Sequence, residues 1–155
     1  MTQTKPCIAL LGEFSAGKST LANLLLGSDQ STVRVTATRM PPVRYVAGDG
    51  PSILMGVDGT EMPLAEAALD DGELAEIREI RIPLQAAILE RCDLIDMPGS
   101  SDPNMPGDIW GGLLPEVDIA LWCTPATQAW RQSEAALWAA VPEAMKTRSH
   151  LLLTR

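Results

Sequence analysis

The stretch Gly12-Glu13-Phe14-Ser15-Ala16-Gly17-Lys18-Ser19 matches the pattern G-x-x-x-x-G-K-[ST] at every fixed position. The apolar run Cys7–Leu11 precedes it and predicts a buried strand, while the pattern over Lys18–Leu26 predicts a helix that ends at Gly27. Glycines let the backbone curl so that several N–H groups point at one anion, and the helix N-terminus adds partial positive charge. The sequence therefore predicts a phosphate-binding loop between a strand and a helix, with the Lys18 ammonium reaching the β- and γ-phosphates and the Ser19 hydroxyl binding Mg²⁺.

Length and composition limit the classes of protein that this chain can belong to. The chain has 155 residues, of which 46% are hydrophobic, so it suits one domain with a substantial core. Its net charge of −8 argues against a nucleic-acid-binding surface, and we expect no nucleic acid among its partners. A nucleotide remains compatible with this charge, because a phosphate loop acts through local dipoles and one lysine.

The termini and the cysteines favour a cytoplasmic location. Residues Met1–Lys5 lead directly into the first predicted strand, so we expect no signal peptide, and no apolar run approaches the ~20 residues that span a bilayer. The three cysteines Cys7, Cys92 and Cys123 lie in or beside apolar runs. Their odd number and their surroundings predict reduced thiols in the core rather than disulfides or a metal site.

Strand and helix patterns alternate along the chain, which predicts an α/β fold with a mostly parallel central sheet covered on both faces. Together with the phosphate loop, this pattern indicates a P-loop NTPase three-layer sandwich. Beyond the first strand and helix, the predicted strands are Val43–Ala47, Ile53–Val57, Ile80–Leu84, 93–95, Val117–Cys123 and Leu151–Leu153. Helical pieces are predicted at Leu64–Leu69, Glu73–Ile77, Asp108–Leu114 and Ser133–Val141, with Trp122 in the core and Trp138 packing from its helix.

A second motif, Leu94-Ile95-Asp96-Met97-Pro98-Gly99, follows the phosphate loop in sequence. A carboxylate at the end of a buried strand is suited to holding the Mg²⁺ shell, usually through a water, and a glycine after a proline leaves a backbone N–H facing a γ-phosphate. Asp-x-Pro-Gly alone is a common turn. Paired with the phosphate loop, at the carboxyl ends of strands where α/β sheets bind ligands, it predicts that Asp96 and Gly99 belong to a nucleotide site.

The loop after the first helix contains Thr36-Ala37-Thr38-Arg39-Met40-Pro41. A threonine here would close over Mg²⁺ through its hydroxyl and over the γ-phosphate through its backbone, as a nucleotide-sensing switch. Either threonine can instead be a β-former that leads into the next strand. We favour Thr38 over Thr36 as the switch residue, and the residues alone leave both roles open.

The last residues, 150–155, form an apolar run that ends in Thr154-Arg155. This resembles the strand that delivers a base-reading motif, Asn/Thr-Lys-x-Asp, with arginine in the lysine position. The aspartate of that motif would lie two residues past Arg155. An apolar strand with a basic end explains the same residues, so both interpretations stay open.

Taken together, these pieces resemble the dynamin-like large GTPases, particularly the bacterial branch, over nearly the whole chain. The specific part is Glu13–Thr20 with Leu24–Gly27, which is similar to that family's phosphate loop and first helix. Thr38–Pro41 resembles the first switch and Asp96–Gly99 the second. The resemblance implies binding of GTP and GDP, Mg²⁺-dependent hydrolysis, nucleotide-dependent homodimerisation across the active site, and peripheral membrane association through regions absent from this chain.

The resemblance also implies roles for individual residues. Lys18, Ser15 and Thr38 would be the catalytic groups, and Ser19, Thr38 and Asp96 would hold the metal. The nucleotide would contact the loop and its neighbours: Gly12, Glu13, Phe14, Ser15, Ala16, Gly17, Lys18, Ser19, Thr20, Asp96, Gly99 and Thr154.

Two departures from the family pattern matter. Some members carry a glutamine that positions the attacking water where this chain has Phe14, although Ser15 keeps a hydroxyl nearby. The family's GTPase domain also continues beyond the point where Arg155 stands, so we expect residues 1–155 to be a GTPase domain truncated at its C-terminal end. Two other functions stay open: a nucleotide-binding interaction module without turnover, and a P-loop kinase acting on a small molecule.

Overall fold

The computed structural model describes residues 5–27, 41–67, 74, 76–99, 112–128 and 130–155. Predictions for the loop that contains Thr36, Thr38 and Arg39, and for residues 100–111, lie outside the described residues. Within them, the strands are β1 (Cys7–Gly12), β2 (Val43–Ala47), β3 (Ile53–Gly56), β4 (Glu61–Pro63), β5 (Ile77–Leu84), β6 (Asp93–Asp96), β7 (Ile119–Pro125) and β8 (His150–Thr154). The α-helices are α1 (Lys18–Leu26), α2 (Gln132–Ala140) and α3 (Glu143–Lys146).

The described strands form one sheet in the order β4-β3-β5-β2-β6-β1-β7-β8. Four of the seven strand pairings are parallel, so the predicted mostly parallel sheet is confirmed. The antiparallel pairs all lie in the half from β4 to β6, and β2 is parallel to β5 but antiparallel to β6. The half from β6 to β8 is entirely parallel, so its strands end at the same edge.

Both faces of the sheet carry a core, which confirms the layered α/β fold. Strand β1 alternates between them: Ala9 and Leu11 join a cluster with Trp122, while Leu10 joins a second cluster with Ala22 of α1. Residues of α2 and α3 cover the first cluster and α1 covers the second. Burial on both faces explains why β1 is apolar throughout rather than alternating.

Several predicted bounds were confirmed and others need correction. Helix α1 begins and ends where the sequence predicted. It ends at Leu26 because Gly27 adopts φ 73° and its N–H donates to the Asn23 carbonyl. The prediction of helix over Glu73–Ile77 was wrong at its last residue. Ile77 pairs with Gly56 and is the first residue of β5. The piece predicted over Leu64–Leu69 is a 3-10 turn over Leu64–Glu66 that ends as Ala67 becomes extended.

Strand β7 begins two residues later than predicted. A 3-10 turn over Leu114–Glu116 is closed by the Val117 N–H, which donates to the Leu114 carbonyl. The strand then runs to Pro125. Strand β4 and helix α3 were missed, because each is too short to show a period.

Candidate functional site

The phosphate loop connects β1 to α1 at the edge where the parallel strands end. Gly12 and Gly17 adopt φ values of 140° and 86°, and Ser15 lies in the left-handed region at φ 59°. A Cβ added to Gly12 would lie 2.2 Å from the Cys123 carbonyl oxygen of β7, so this position admits only glycine. The loop therefore curls where it was predicted to curl, tightly packed against β7.

Lys18 is a buried cation within this loop, only 7% exposed. Its Nζ donates to the carbonyl oxygens of Gly12 at 3.1 Å and Glu13 at 2.7 Å. Burial lowers the pKa of the Lys18 ammonium, and the nearby Asp96 carboxylate partly opposes that shift. The ammonium is thus held at the centre of the curl by main-chain oxygens.

Asp96, at the end of β6, meets the first turn of α1. The Ser19 hydroxyl donates to Asp96 Oδ2 at 2.9 Å, while Asp96 Oδ1 is buried without a hydrogen-bond partner. Burial raises the pKa of Asp96, whereas the Ser19 hydrogen bond and the Lys18 charge act in the opposite direction. A hydroxyl and a carboxylate with one unpartnered oxygen are the hard oxygen ligands that Mg²⁺ takes beside a phosphate, so the residues present fit that cation.

The other predicted contacts divide between the loop and its neighbours. Gly99 lies against the loop: a Cβ there would be 2.7 Å from the Phe14 nitrogen and 2.8 Å from the Phe14 Cα. The Thr154 hydroxyl, at the end of β8, donates to the Ala16 carbonyl at 2.8 Å.

The side chains of the loop differ in their exposure, and that of Phe14 is 75% exposed. Ser15 and Thr20 are also exposed, and Ala16 is buried. The structure thus brings every described residue of the predicted site to one sheet edge.

The side chain of Glu13 has a contact that the sequence did not predict. Its carboxylate accepts from Arg131 Nη1 at 3.2 Å and from the Ser133 hydroxyl, both at the start of α2. A capping signal was present in the sequence, since Glu134 lies three residues after Arg131, but nothing marked Glu13 as its neighbour.

All three cysteines are buried free thiols, as predicted. Burial raises the pKa of Cys7 and of Cys123 to about 11, so both are protonated at neutral pH. Among the described residues, no helix is both long and apolar enough to cross a membrane.

Comparisons with known proteins agree with this geometry. The sequence model of the dynamin family matches residues 8–155. The chain is 27% identical to Dynamin-like protein 2 of Campylobacter jejuni, over 82% of this chain and 22% of that protein. It therefore spans about a fifth of the length of the curated relative that it matches.

Two solved structures of an oligomerised bacterial dynamin pair, described as sensing and tethering membranes, share the fold. The first has a TM-score of 0.62 at 22% identity, covering 98% of this chain and 26% of that one. The second has a TM-score of 0.64 at 17% identity, covering 90% of this chain and 25% of that one. Aquifex aeolicus Era bound to GDP and aluminium fluoride aligns with a TM-score of 0.54 at 16% identity, over 98% and 41% of the two chains.

Proposed function

The chain belongs to the dynamin family, and we propose that it binds GTP with Mg²⁺ and hydrolyses it to GDP. One observation carries the proposal. The Asp96 carboxylate, with one oxygen buried and unpartnered, bonds to Ser19 beside a glycine loop that holds a buried lysine.

Residues of the chain would divide the work of binding. Main-chain amides of the loop and the Lys18 ammonium would hold the phosphates. Ser19 with Asp96 would hold Mg²⁺, which would neutralise negative charge on the phosphates. Thr38 would complete the metal shell from the first switch, and the Gly99 amide would face the γ-phosphate. Phosphoryl transfer to water depends mainly on positioning and charge stabilisation, so few further groups are needed.

Release of phosphate from GTP tests the proposal directly. Wild type is compared with Lys18→Ala and with Lys146→Ala, a surface lysine of α3 paired with the exposed Glu143. We expect Mg²⁺-dependent release by wild type and by Lys146→Ala, and a loss of at least about a hundredfold in Lys18→Ala. Equal rates in wild type and Lys18→Ala would overturn the assignment. Competition by ATP in the same assay measures the preference for guanine.

A second function, nucleotide binding without turnover, is favoured by the side chain at position 14. An exposed phenylalanine stands there, and it cannot orient a water by hydrogen bonding. Calorimetric titration with GTP alongside the phosphate assay separates the two functions. Binding with no release, and release restored by Phe14→Gln, would favour the module over the enzyme.

We also propose that the chain forms a nucleotide-dependent homodimer. We propose further that the protein is cytoplasmic and associates peripherally with membranes through regions beyond this chain. Phe14 is exposed on the phosphate loop itself, so a second copy that covered this side chain would also cover the site. Sedimentation of the chain with a non-hydrolysable GTP analogue tests this: a dimer is expected with the analogue and a monomer with GDP. A monomer under both conditions would contradict it.

A further inference from the structure

A buried carboxylate, that of Glu134, anchors the first turn of α2 by hydrogen bonds. Glu134 is fully buried and accepts from Trp122 Nε1 at 3.1 Å, from the Thr124 hydroxyl at 3.1 Å and from the Arg131 N–H at 3.0 Å. The donors come from β7 and from the residue before the helix. The start of α2 is thereby fixed to the strand that also packs against Gly12 of the phosphate loop.

A second carboxylate reaches the same turn from the phosphate loop. Glu13 is 7% exposed, and its two oxygens accept from Arg131 and Ser133, residues 118 and 120 positions away in sequence. Its carbonyl, on the same residue, accepts from Lys18 Nζ at 2.7 Å. Glu13 therefore contacts the lysine of the loop through its backbone and α2 through its side chain.

Immediately before Arg131, Trp130 adopts φ 60°, a left-handed conformation that bulky residues rarely take. Its ring packs edge-on against Trp122, with ring centroids 6.3 Å apart, and against Trp138, with centroids 6.2 Å apart. Trp122 and Trp138 are themselves 5.8 Å apart. A non-glycine residue persists in such a conformation only where its surroundings hold it there. Here those surroundings are this tryptophan cluster and the Arg131 contacts.

We propose that Glu13 is a positioning residue that couples the phosphate loop to α2, so that nucleotide on the loop changes the environment of the tryptophan cluster (Trp122, Trp130 and Trp138). The inference rests on the proposed function and deepens it, because it assigns the Glu13 side chain to the loop's conformation rather than to the nucleotide. A charge-assisted hydrogen bond is stronger than a neutral one, so a loop that rearranges when it binds nucleotide would carry α2 with it. The tryptophan cluster would then report that movement.

The test follows tryptophan fluorescence as a non-hydrolysable GTP analogue is added with Mg²⁺. Every variant carries Trp110→Phe, so that the signal comes from the tryptophan cluster alone. The variants are Glu13→Gln, Arg131→Ala and both together, and the control is Glu143→Gln, which removes an exposed carboxylate of α3. Calorimetry measures the dissociation constant of each variant independently of fluorescence, and thermal unfolding verifies that each is folded.

We expect the analogue to change the fluorescence of the parent and of Glu143→Gln equally. In Glu13→Gln and in Arg131→Ala the change should fall at least threefold, with the dissociation constant raised by about threefold to tenfold. The double variant should match Glu13→Gln alone, because Arg131→Ala removes only the ion pair that Glu13→Gln already abolishes.

The contrary outcomes separate the two ideas. A parent that binds the analogue without a fluorescence change, or a Glu13→Gln variant with the full change, overturns the coupling and leaves GTP binding standing. Additive losses in the double variant also overturn it. A parent that shows no calorimetric binding overturns the proposed function, and the coupling with it.

Discussion

The Ser19 hydroxyl and the Asp96 carboxylate meet at 2.9 Å across 77 residues of sequence, one at the start of α1 and the other at the end of β6. The bond satisfies only one carboxylate oxygen, and the other is buried without a partner. Burying an ionised carboxylate costs free energy unless a cation or further donors compensate for the lost water. The buried carboxylate is therefore unfavourable in the protein alone, and a bound cation would stabilise it.

Replacing Asp96 by asparagine should raise the stability of the nucleotide-free chain while removing its Mg²⁺-dependent activity. Because burial raises the pKa of Asp96, ionisation of this group is less favourable in the folded chain than in the unfolded one. We expect the Tm of Asp96→Asn to rise by about 2 to 4 °C at neutral pH, which corresponds to about 1 kcal/mol in a chain of this size. Thermal unfolding without nucleotide measures it.

The advantage of Asp96→Asn should depend on pH in a defined direction. A carboxyl whose folded pKa is raised stabilises the fold below its ordinary pKa, and that contribution is lost as the pH rises through the raised value. The difference in Tm between Asp96→Asn and wild type should therefore be present at pH 7 and shrink as the pH falls towards 4, the ordinary carboxyl range. A difference that grows on acidification would contradict the pKa direction.

Gly99→Ala should disable the site, whereas Gly112→Ala should not. A Cβ at Gly99 would lie 2.7 and 2.8 Å from backbone atoms of Phe14, so the phosphate loop would have to shift, while a Cβ at Gly112 meets nothing within 4 Å. Forcing such an overlap typically costs about 1–3 kcal/mol. We expect affinity for GTP, measured by calorimetry, to fall at least about tenfold in Gly99→Ala. Equal affinities in the two variants would show that the close approach is unimportant.

Thr154→Val should weaken nucleotide binding although Thr154 needs no direct contact with nucleotide. The substitution preserves shape but removes the hydrogen bond from the Thr154 hydroxyl to the Ala16 carbonyl. One such bond contributes about 0.5–1.5 kcal/mol, so the dissociation constant for GTP should rise by roughly threefold to tenfold. Thr147→Val is the matched control, since the Thr147 hydroxyl donates to the Ala144 carbonyl on α3. If both variants bind equally well, the Thr154 bond does not fix the loop.

Arg44→Met should be the most destabilising of these changes. The Arg44 Nε pairs with Glu79 at 2.8 Å and its Nη2 pairs with Glu116 at 2.7 Å, with Arg44 and Glu79 both buried. Removing one partner of a buried ion pair costs about 3–5 kcal/mol. Here the buried Glu79 carboxylate would keep only its bond to Arg81, at 2.8 Å. Urea unfolding measures the loss.

Two further variants test whether the buried carboxylate causes that loss. The double variant Arg44→Met with Glu79→Met should recover part of the stability, because the buried carboxylate is removed together with its cation. The recovery should be incomplete, because Arg81 also loses its bond to Glu79. Arg148→Met, which breaks an exposed pair 3.9 Å long with Asp118, should cost less than about 1 kcal/mol. A loss in Arg148→Met as large as that in Arg44→Met would contradict the role of burial.

The parts of the site that could be predicted from sequence are those governed by local chemistry. A glycine loop after an apolar strand has one local geometry, so the placement of Gly12, Gly17 and Lys18 followed from residues within a few positions of one another. Asp96 was predicted because parallel strands end at one edge of a sheet, which brings the ends of β1 and β6 together. The described strands of the parallel half were all predicted, because each is an apolar run in the sequence.

Contacts between distant charged residues could not be predicted. Nothing local to Glu13 points to Arg131, and nothing local to Arg44 points to Glu116, since each pairing depends on how the elements pack. The short strand β4 was not predicted for another reason. Its three residues, Glu61–Pro63, pair with β3 and are all exposed, so they carry no apolar pattern.

The reversal of strand direction between β2 and β6 separates the region that should tolerate insertions from the region that should not. Every described residue of the candidate site belongs to the parallel side, whereas the hairpin of β3 and β4 turns at the opposite margin through Asp58 and the exposed Gly59. A peptide tag, a fluorophore attachment site or a grafted epitope placed at that turn would be carried at a distance from the nucleotide. The turn of this hairpin is therefore a suitable attachment position for immobilising the protein on a surface with its phosphate loop accessible.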